Sequence, residues 1–468
     1  MNSEVHKNTK EISTRPVEEL AKTLAELDPK PVTKFTPDNL EEVMEDFLRG
    51  KRRNPDNATY FKLDTLDFAE MEKQYDSLLQ EVITHPEIPP KQHKVYQDYV
   101  NRSINIIRLM NAAYRYRNED GQDKKQQAKQ DFEQINHELY GKPDPETAAL
   151  MRVEIISDSE HSLDEDIVRI REEFTQLTED DFPNVKMVRL EPSDDAKKFV
   201  SRIVEVIYAP LLKTTNEVMA QIAAEQGVKE DKLKLTPDDL AKVFQTVIED
   251  NFPSSGWNTK VEKANAIKVV ASEKEVIIPE KRASVDTDKA RGLVIHELGV
   301  HMMRSIIGEK ADLIPLRYGL ANVNDAEEGI AKVMESSISG DGARTGYQHY
   351  LTAHLLNQGK DFRDVFEIMW RYKALDSCLN KPEAVIDDSF IKKQKETAFK
   401  FMFRSIRGTN ELPWYLPLSY HNGTKKIWDY VESHIDDPDT VTLMFMGKID
   451  PTNIEHLSAA LDAKPRAV

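Results

Sequence analysis

The stretch that decides the fold and the chemistry reads Leu293-Val294-Ile295-His296-Glu297-Leu298-Gly299-Val300-His301. A His-Glu pair inside an apolar helix is how the metal-binding helix of many zinc hydrolases begins. Zinc takes neutral imidazole and carboxylate ligands, and a catalytic site leaves one position open for water. The carboxylate beside the first histidine can take a proton from that water. The stretch therefore predicts His296 and His301 as metal ligands and Glu297 as the general base.

The spacing of the two histidines is unusual, because H-E-x-x-x-H replaces the common H-E-x-x-H. Four residues turn an α-helix by about 400° and leave two side chains about 40° apart, whereas five residues leave them about 140° apart. A π-bulge would bring the two rings together, and Gly299 inside the interval would ease that distortion. The spacing therefore predicts a locally irregular helix. In a regular helix the two histidines would be independent core or surface residues.

A third ligand is expected from the helix that opens with Asp325-Ala326-Glu327-Glu328-Gly329-Ile330-Ala331. A glutamate on a second helix commonly completes a His-His-Glu zinc site. Glu327 and Glu328 both have the required chemistry, and the residues alone do not separate them. Carboxylates in the first turn of a helix are also favoured simply by the helix dipole.

Composition narrows the choice of partners. The 468 residues carry 64 basic and 82 acidic side chains, a net charge of −18. Such a surface repels phosphate backbones and anionic membranes, so neither nucleic acid nor a membrane is expected as a partner. Cys378 is the single cysteine and excludes an internal disulfide. The first 15 residues lack an apolar signal segment, and the predicted compartment is the cytoplasm.

The predicted fold class is α+β and predominantly helical, with a zincin-like catalytic core and a small antiparallel sheet. The sheet is predicted from two β-rich runs, 258–271 and 276–278, around the polar turn Ser272-Glu273-Lys274. Residues 265–278 could offer an edge strand to an extended substrate. Two helix starts are predicted from capping threonines, Thr36 and Thr236, each followed by proline and aspartate.

Four parts of the chain are distinguished by these patterns. They are an N-terminal extension (1–55), a helical N-terminal part of the peptidase region (56–250), the zincin-like catalytic core (251–435) and a C-terminal tail (436–468).

The chain resembles the tyrosine carboxypeptidase metallopeptidases, which include microtubule-associated enzymes and prokaryotic proteins named for a QEGLA motif. The resemblance is clear over about 250–425 and looser back to about 60. The motifs that carry it are Leu139-Tyr140-Gly141-Lys142-Pro143, Gly256-Trp257, His296-Glu297-Leu298-Gly299-Val300-His301, Glu327-Glu328-Gly329-Ile330-Ala331, Arg404-Ser405-Ile406-Arg407-Gly408 and Tyr420-His421-Asn422-Gly423.

The resemblance implies a zinc-dependent carboxypeptidase that removes a C-terminal residue from a protein or peptide, with an aromatic residue (Tyr or Phe) as one candidate. It selects Glu328, the glutamate of QEGLA, as the third ligand of Zn²⁺. Tyr420 is a candidate donor to the oxyanion, although a core tyrosine is an equal alternative. Arg404 and Arg407 could bind the substrate's terminal carboxylate, or could simply be surface ion-pair formers.

The sequence also allows other functions and other roles for single residues. The same scaffold could support an endopeptidase, an aminopeptidase or a non-catalytic metal-binding regulator, although a regulator has no need of Glu297. Arg304 could support the ligands from one turn beyond His301. His349 and His354 share the i, i+5 spacing but have no adjacent glutamate, and they are predicted to be structural.

The sequence departs from the family before Tyr420, where Leu416 and Pro417 replace a Lys-Asp pair that relatives often carry. If that lysine holds the substrate in relatives, this chain lacks it, and the departure bears on exopeptidase specificity but not on metal binding. Acidic tubulin tails are a doubtful substrate, since a chain at −18 would repel them without a local basic face. The sequence predicts neither the oligomeric state nor the physiological substrate.

Overall fold

The computed structural model describes residues 16–27, 29, 35–162, 164–188, 190–264, 266–339, 344–381 and 383–464. Over these residues the chain is predominantly helical, with one small three-stranded sheet. The helices before the sheet are α1 (Val17–Glu26), α2 (Leu40–Leu48), α3 (Phe61–Asp64), α4 (Phe68–Thr84), α5 (Pro90–Asn118), α6 (Gln122–Tyr140), α7 (Pro145–Ser159), α8 (Glu165–Leu177), α9 (Asp194–Ile207), α10 (Ala209–Gln226) and α11 (Pro237–Asn251).

After the sheet the chain returns to helices. They are α12 (Thr287–Leu293), a π-helix (Val294–Met302), α13 (Met303–Glu309), α14 (Pro315–Tyr318), α15 (Asn324–Ser339), α16 (Tyr347–Asn357), α17 (Phe362–Asn380), α18 (Asp388–Arg404), α19 (Ser419–Ser433), α20 (Thr440–Phe445) and α21 (Ile454–Leu461). Short 3₁₀ turns lie at Glu230–Lys232 and Leu416–Leu418. None of the described helices combines the length and the apolar character needed to cross a membrane.

The sheet contains β1 (Asn258–Glu262), β2 (Lys268–Val270) and β3 (Glu275–Pro279) in the order β1-β3-β2. The predicted hairpin forms between β2 and β3, with Val269 opposite Val276 in an antiparallel register. However, β1 pairs in parallel with β3. The prediction of a purely antiparallel sheet was therefore wrong, and the sheet is mixed.

Burial explains the strand order. The run predicted as one strand over 258–271 divides, because its middle residues, Lys263 and Ala264, favour a strand weakly. The apolar strand β3 then occupies the centre, where Val276 and Ile278 are fully buried. β1 and β2, which carry lysines, occupy the edges. In this order β3 pairs with β1 as well as with β2. Because β1 and β3 run in the same direction, the β1–β3 pair is parallel.

Two hydrophobic cores organise the helices. The first combines α1–α8 with α14, α16–α18 and α21. The second combines α9–α11, β3, α12, the π-helix, α15, α19 and α20. Phe35, from the predicted N-terminal extension, packs edge-on against Trp414 with ring centroids 4.5 Å apart. The four-part division of the chain stays a prediction, because these cores combine helices that are far apart in sequence.

The two predicted capping threonines behave differently. Thr236 forms a capping box with Asp239 at the start of α11, as predicted. Thr36 does not cap a helix, since α2 begins at Leu40 and no side chain caps it. Asp38 accepts a hydrogen bond from the backbone N–H of Phe61 instead, which ties this segment to the start of α3.

Candidate metal centre

The helix that carries both histidines changes its winding where the motif lies. α12 runs directly into the π-helix Val294–Met302, and α13 continues from it. In a π-helix the backbone hydrogen bonds join residues five apart, so residues i and i+5 lie near each other. The rings of His296 and His301 have centroids 4.9 Å apart. The irregular helix predicted from the H-E-x-x-x-H spacing is confirmed.

Gly299 serves a packing role in this helix. A Cβ at this position would approach Cε1 of Tyr208 to 2.8 Å, closer than packed carbon atoms tolerate. Tyr208 is fully buried between the π-helix and α20, where it lies edge-on to Phe445. The structure therefore explains the glycine by space for a neighbouring ring, whereas the sequence suggested relief of backbone distortion.

Three side chains converge beside the π-helix. From α15, Glu328 places one carboxylate oxygen 3.9 Å from Nε2 of His296 and the other 4.0 Å from Nε2 of His301. Glu297 lies beside them, with its ligand atom and those of both histidines within 4.8 Å of one another. Ligand atoms that share one tetrahedral zinc ion lie about 3.4 Å apart, so Glu328 would have to move about 0.5 Å closer to each histidine to share an ion with it.

Each histidine is held from behind by a second carboxylate. Nδ1 of His296 lies 2.9 Å from Glu335, and Nδ1 of His301 lies 2.9 Å from Glu327. An Nδ1–H that donates to a carboxylate leaves the Nε2 lone pair free for a metal. Both Nε2 atoms face Glu328. The structure thus brings Glu327, one of the two candidates for the third ligand, to the outer side of His301.

Glu335 is clasped by two lysines as well as by His296. Lys289 of α12 lies 2.6 Å and Lys332 of α15 lies 2.8 Å from its carboxylate oxygens. Burial alone would raise the pKa of Glu335, but the hydrogen bond from His296 and the charges of Lys332 and Lys289 hold that pKa well below its usual range. Glu335 is therefore a fixed anion that orients His296.

Glu327 has a matching arrangement on the other side. Arg304, which is fully buried, donates to Glu327, and Nζ of Lys448 lies 3.5 Å from the same carboxylate. Burial opposes the charge, but Arg304, Lys448 and His301 together hold the pKa of Glu327 well below its usual range. Burial also acts against a charged His301, yet the hydrogen bond to Glu327 leaves the pKa of His301 raised. Arg304 thus acts one step behind His301, as the carboxylate's partner.

We expect replacement of Glu335 by glutamine to lower zinc affinity by about 10- to 100-fold, the usual cost of losing an outer partner of a ligating histidine. The amide keeps the shape of the side chain but loses the charge that Lys289 and Lys332 surround. Competition with a chromogenic chelator measures the affinity. Glu225→Gln is the control, because Glu225 forms an exposed ion pair with Lys242 and does not line the cleft. Unchanged affinity in the Glu335 variant would contradict an orienting role.

The converging side chains lie in a cleft of about 410 Å³. The residues that line it are Ile267, Lys268, Val269, His296, Glu297, His301, Glu327, Glu328, Lys332, Tyr420 and Lys448. β2 forms one wall and is an edge strand, so an extended peptide could pair with its outer side. A larger cavity of about 570 Å³ lies on other faces of α15 and α19, and none of the converging ligands lines it.

Tyr420, the second residue of α19, forms another wall of the cleft. The negative charge of Glu328, together with burial, raises the pKa of Tyr420 to about 12. The phenol therefore keeps its proton and can donate a hydrogen bond. The positive charges of Arg404 and Arg407 act on the same phenol in the opposite direction. The phenol of Tyr420 is thus close enough to Glu328 and to the arginine pair to be affected by the charges of both.

Two glycines bring Tyr420 to Glu328. Gly329, next to Glu328 on α15, and Gly423, one turn beyond Tyr420 on α19, lie at the contact of these two helices. A Cβ on Gly329 would overlap the carbonyl oxygen of Gly423, and a Cβ on Gly423 would overlap that of Asp325. The glycines of the two motifs therefore allow a close helix–helix approach.

Replacement of Gly329 by alanine is expected to push α19 away from α15 and to destabilise the protein by about 1–3 kcal/mol, as overpacking typically does. Tyr420 should move with α19, away from Glu328. Urea unfolding measures the stability. Gly121→Ala is the matched control, because a Cβ there meets no atom closer than 3.9 Å. Equal stability of both variants would contradict the close approach.

The predicted carboxylate-binding arginines lie outside the immediate lining of the cleft. Arg404 ends α18 and is exposed, whereas Arg407 is largely buried in the following turn, with its guanidinium 5.2 Å from the centroid of the Trp414 ring. Burial, followed by the charge of Arg404, lowers the pKa of Arg407 to about 10. Among the described residues, no carboxylate forms an ion pair with either arginine.

The sequence analysis did not predict several residues that lie around the site. Glu335 lies seven residues after Glu328, two helical turns away on the same face, and that spacing was the available signal. Lys332, at i+4 from Glu328, carried the same signal. Lys448 reaches the site only through the fold, because 120 residues separate it from Glu328. His349 and His354 are buried, as expected of structural residues, but His349 also stacks on Tyr420.

Together the fold and the cleft define a mostly helical protein with a His-His-Glu group on a π-helix and an adjacent helix. Residues 207–377 match the model of the family described as microtubule-associated tyrosine carboxypeptidase. This match confirms the resemblance over just over a third of the chain, including the sheet, the π-helix and α15. It ends before Arg404, Arg407 and Tyr420. Among curated proteins, no significant match to this chain was found.

Proposed function

We propose that this protein is a zinc-dependent carboxypeptidase with a zincin-like site. The single observation that carries the proposal is the π-helix, because it turns an otherwise incompatible i, i+5 pair toward Glu328. A helix pays a stability cost for such distortion, and π-bulges are concentrated at functional sites. The family match supplies the reaction class, which is removal of a C-terminal residue.

The donor set suits zinc. His296, His301 and Glu328 offer two imidazoles and one carboxylate, and both histidines have their tautomer set by an outer carboxylate. Bound there, zinc would supply Lewis acidity, acidifying a water molecule and polarising the scissile carbonyl. With these three residues as ligands, Glu297 would lie beside the ion without binding it.

The remaining side chains divide the work of hydrolysis. The carboxylate of Glu297 would accept the proton of the attacking water and pass it to the departing amine. Tyr420, which stays protonated, would donate a hydrogen bond to the oxygen that gains negative charge. Strand β2 would hold the peptide main chain in an extended form.

The cleft also bears on the competing functions. Glu297 lies within reach of the same position as the two histidines. If Glu328 is the third ligand, Glu297 is free to act as a base, a role that an enzyme needs and a metal-binding scaffold does not. The net charge of −18 is not concentrated at the cleft, whose lining balances Lys268, Lys332 and Lys448 against three glutamates. The family's name makes a peptide ending in tyrosine the first substrate to test.

Mass spectrometry of a short peptide ending in tyrosine tests the proposal. After incubation with the zinc-loaded protein, the peptide should lose one tyrosine, and the same peptide with a C-terminal amide should stay intact. Cleavage of internal bonds in both peptides would identify an endopeptidase. If this peptide and peptides with other C-terminal residues all stay intact, the proposed activity is contradicted.

A further inference from the structure

A group of unneutralised polar side chains lies around Tyr420, outside the lining of the candidate metal cleft. It consists of Arg404, Arg407 and His349. Neither arginine has a carboxylate partner among the described residues, although Arg407 is largely buried against Trp414. A buried cation without an anion is costly, because the desolvation of its charge is not offset. Such a cation commonly marks a place where a ligand supplies the missing charge.

His349 belongs to the same group. It lies on α16, is only 3 % exposed, and has a ring stacked on that of Tyr420 with centroids 5.9 Å apart. Its Nδ1 has no hydrogen-bond partner among the described residues. Burial, and then the charges of Arg404 and Arg407, lower the pKa of His349 to about 3. The imidazole is therefore neutral near pH 7 and has one N–H to donate.

We propose that Arg404, Arg407 and His349 form one anion subsite that takes the α-carboxylate of the substrate's last residue, with His349 as a specificity-determining donor. This inference rests on the proposed carboxypeptidase function. A carboxylate offers about four acceptor positions, enough to satisfy two guanidinium groups and one imidazole N–H. Arg404 is the exposed member of the subsite, Arg407 is partly buried and His349 is buried. Hydrogen bonds from charged donors to a carboxylate are stronger than those between neutral groups.

The position of the subsite suits an exopeptidase. Tyr420 contacts the subsite through its stacked ring and responds electrostatically to Glu328 at the metal centre. Because Tyr420 and Glu297 line the same cleft, a terminal carboxylate bound beside Tyr420 would direct the last peptide bond toward that cleft. A chain that continued past this bond would have to pass the arginine pair, so the subsite would also exclude internal bonds.

Binding can be measured apart from turnover in a zinc-loaded Glu297→Gln protein. Isothermal titration compares a peptide ending in tyrosine as its free acid and as its amide. Adding His349→Phe keeps a flat ring to stack on Tyr420 but removes the N–H. We expect the preference for the free acid to fall by about 10-fold, the effect of one hydrogen bond to a charged group. Affinity for the amide and zinc content should stay unchanged.

His354→Phe is the matched control, because His354 is also buried on α16 but donates from Nε2 to the backbone carbonyl of Asp181. Arg404→Gln should lower the preference as His349→Phe does. The inference is overturned if His349→Phe leaves the preference intact, or if it weakens free acid and amide equally. Cleavage by the protein without these substitutions separates the two proposals. If that protein removes the last residue of the free-acid peptide, the carboxypeptidase function stands whatever the result for His349→Phe.

Discussion

Replacing Glu297 by glutamine is expected to lower kcat by about 10²- to 10⁴-fold while the protein keeps its zinc, because the amide cannot accept a proton. The substitution preserves shape in a nearly buried position, so the fold should be unaffected. Steady-state hydrolysis of a peptide ending in tyrosine gives kcat, and metal analysis of the same sample gives the zinc content. The two readouts together separate a base from a ligand.

Glu205→Gln is the control for this substitution, since Glu205 is exposed on α9 and does not line the cleft. Its kcat should equal that of the unmodified protein. If the Glu297 variant loses its zinc, Glu297 is a ligand and the division of roles is wrong. If that variant keeps full activity, another group supplies the base.

Replacing Glu328 by glutamine is expected to lower zinc affinity by well over the roughly 100-fold typical of an outer partner, because a charged ligand is lost. Glu327→Gln is the matched comparison, being the same substitution one residue earlier. It removes the outer partner of His301, so its loss should stay within about 10- to 100-fold. Chelator competition on both variants measures the affinities. The reverse ranking would make Glu327 the ligand.

The π-helix that carries His296 and His301 was predictable from the spacing of the two histidines. Two side chains that must meet at one ion fix the turn between them, and a five-residue interval excludes a regular α-helix. The cap at Thr236 was predictable for the same reason, since every partner lies within three residues. Features determined by short-range contacts could therefore be predicted from sequence.

The remaining features depend on contacts between distant parts of the chain. The same Thr-Pro-Asp pattern fails at Thr36, where Asp38 instead binds the backbone of Phe61. The strand order depends on β3 occupying the buried centre, which the pattern of a single hairpin does not specify. Lys448 reaches Glu327, and His349 reaches Tyr420, only after the helices have packed.

The metal content of the purified protein tests the central claim most directly. The protein would be loaded with zinc, freed of excess ion by desalting, and measured by plasma mass spectrometry against its concentration. The account predicts about one zinc per chain, as a single His-His-Glu site requires. A folded protein that retains no zinc and takes none up would contradict it.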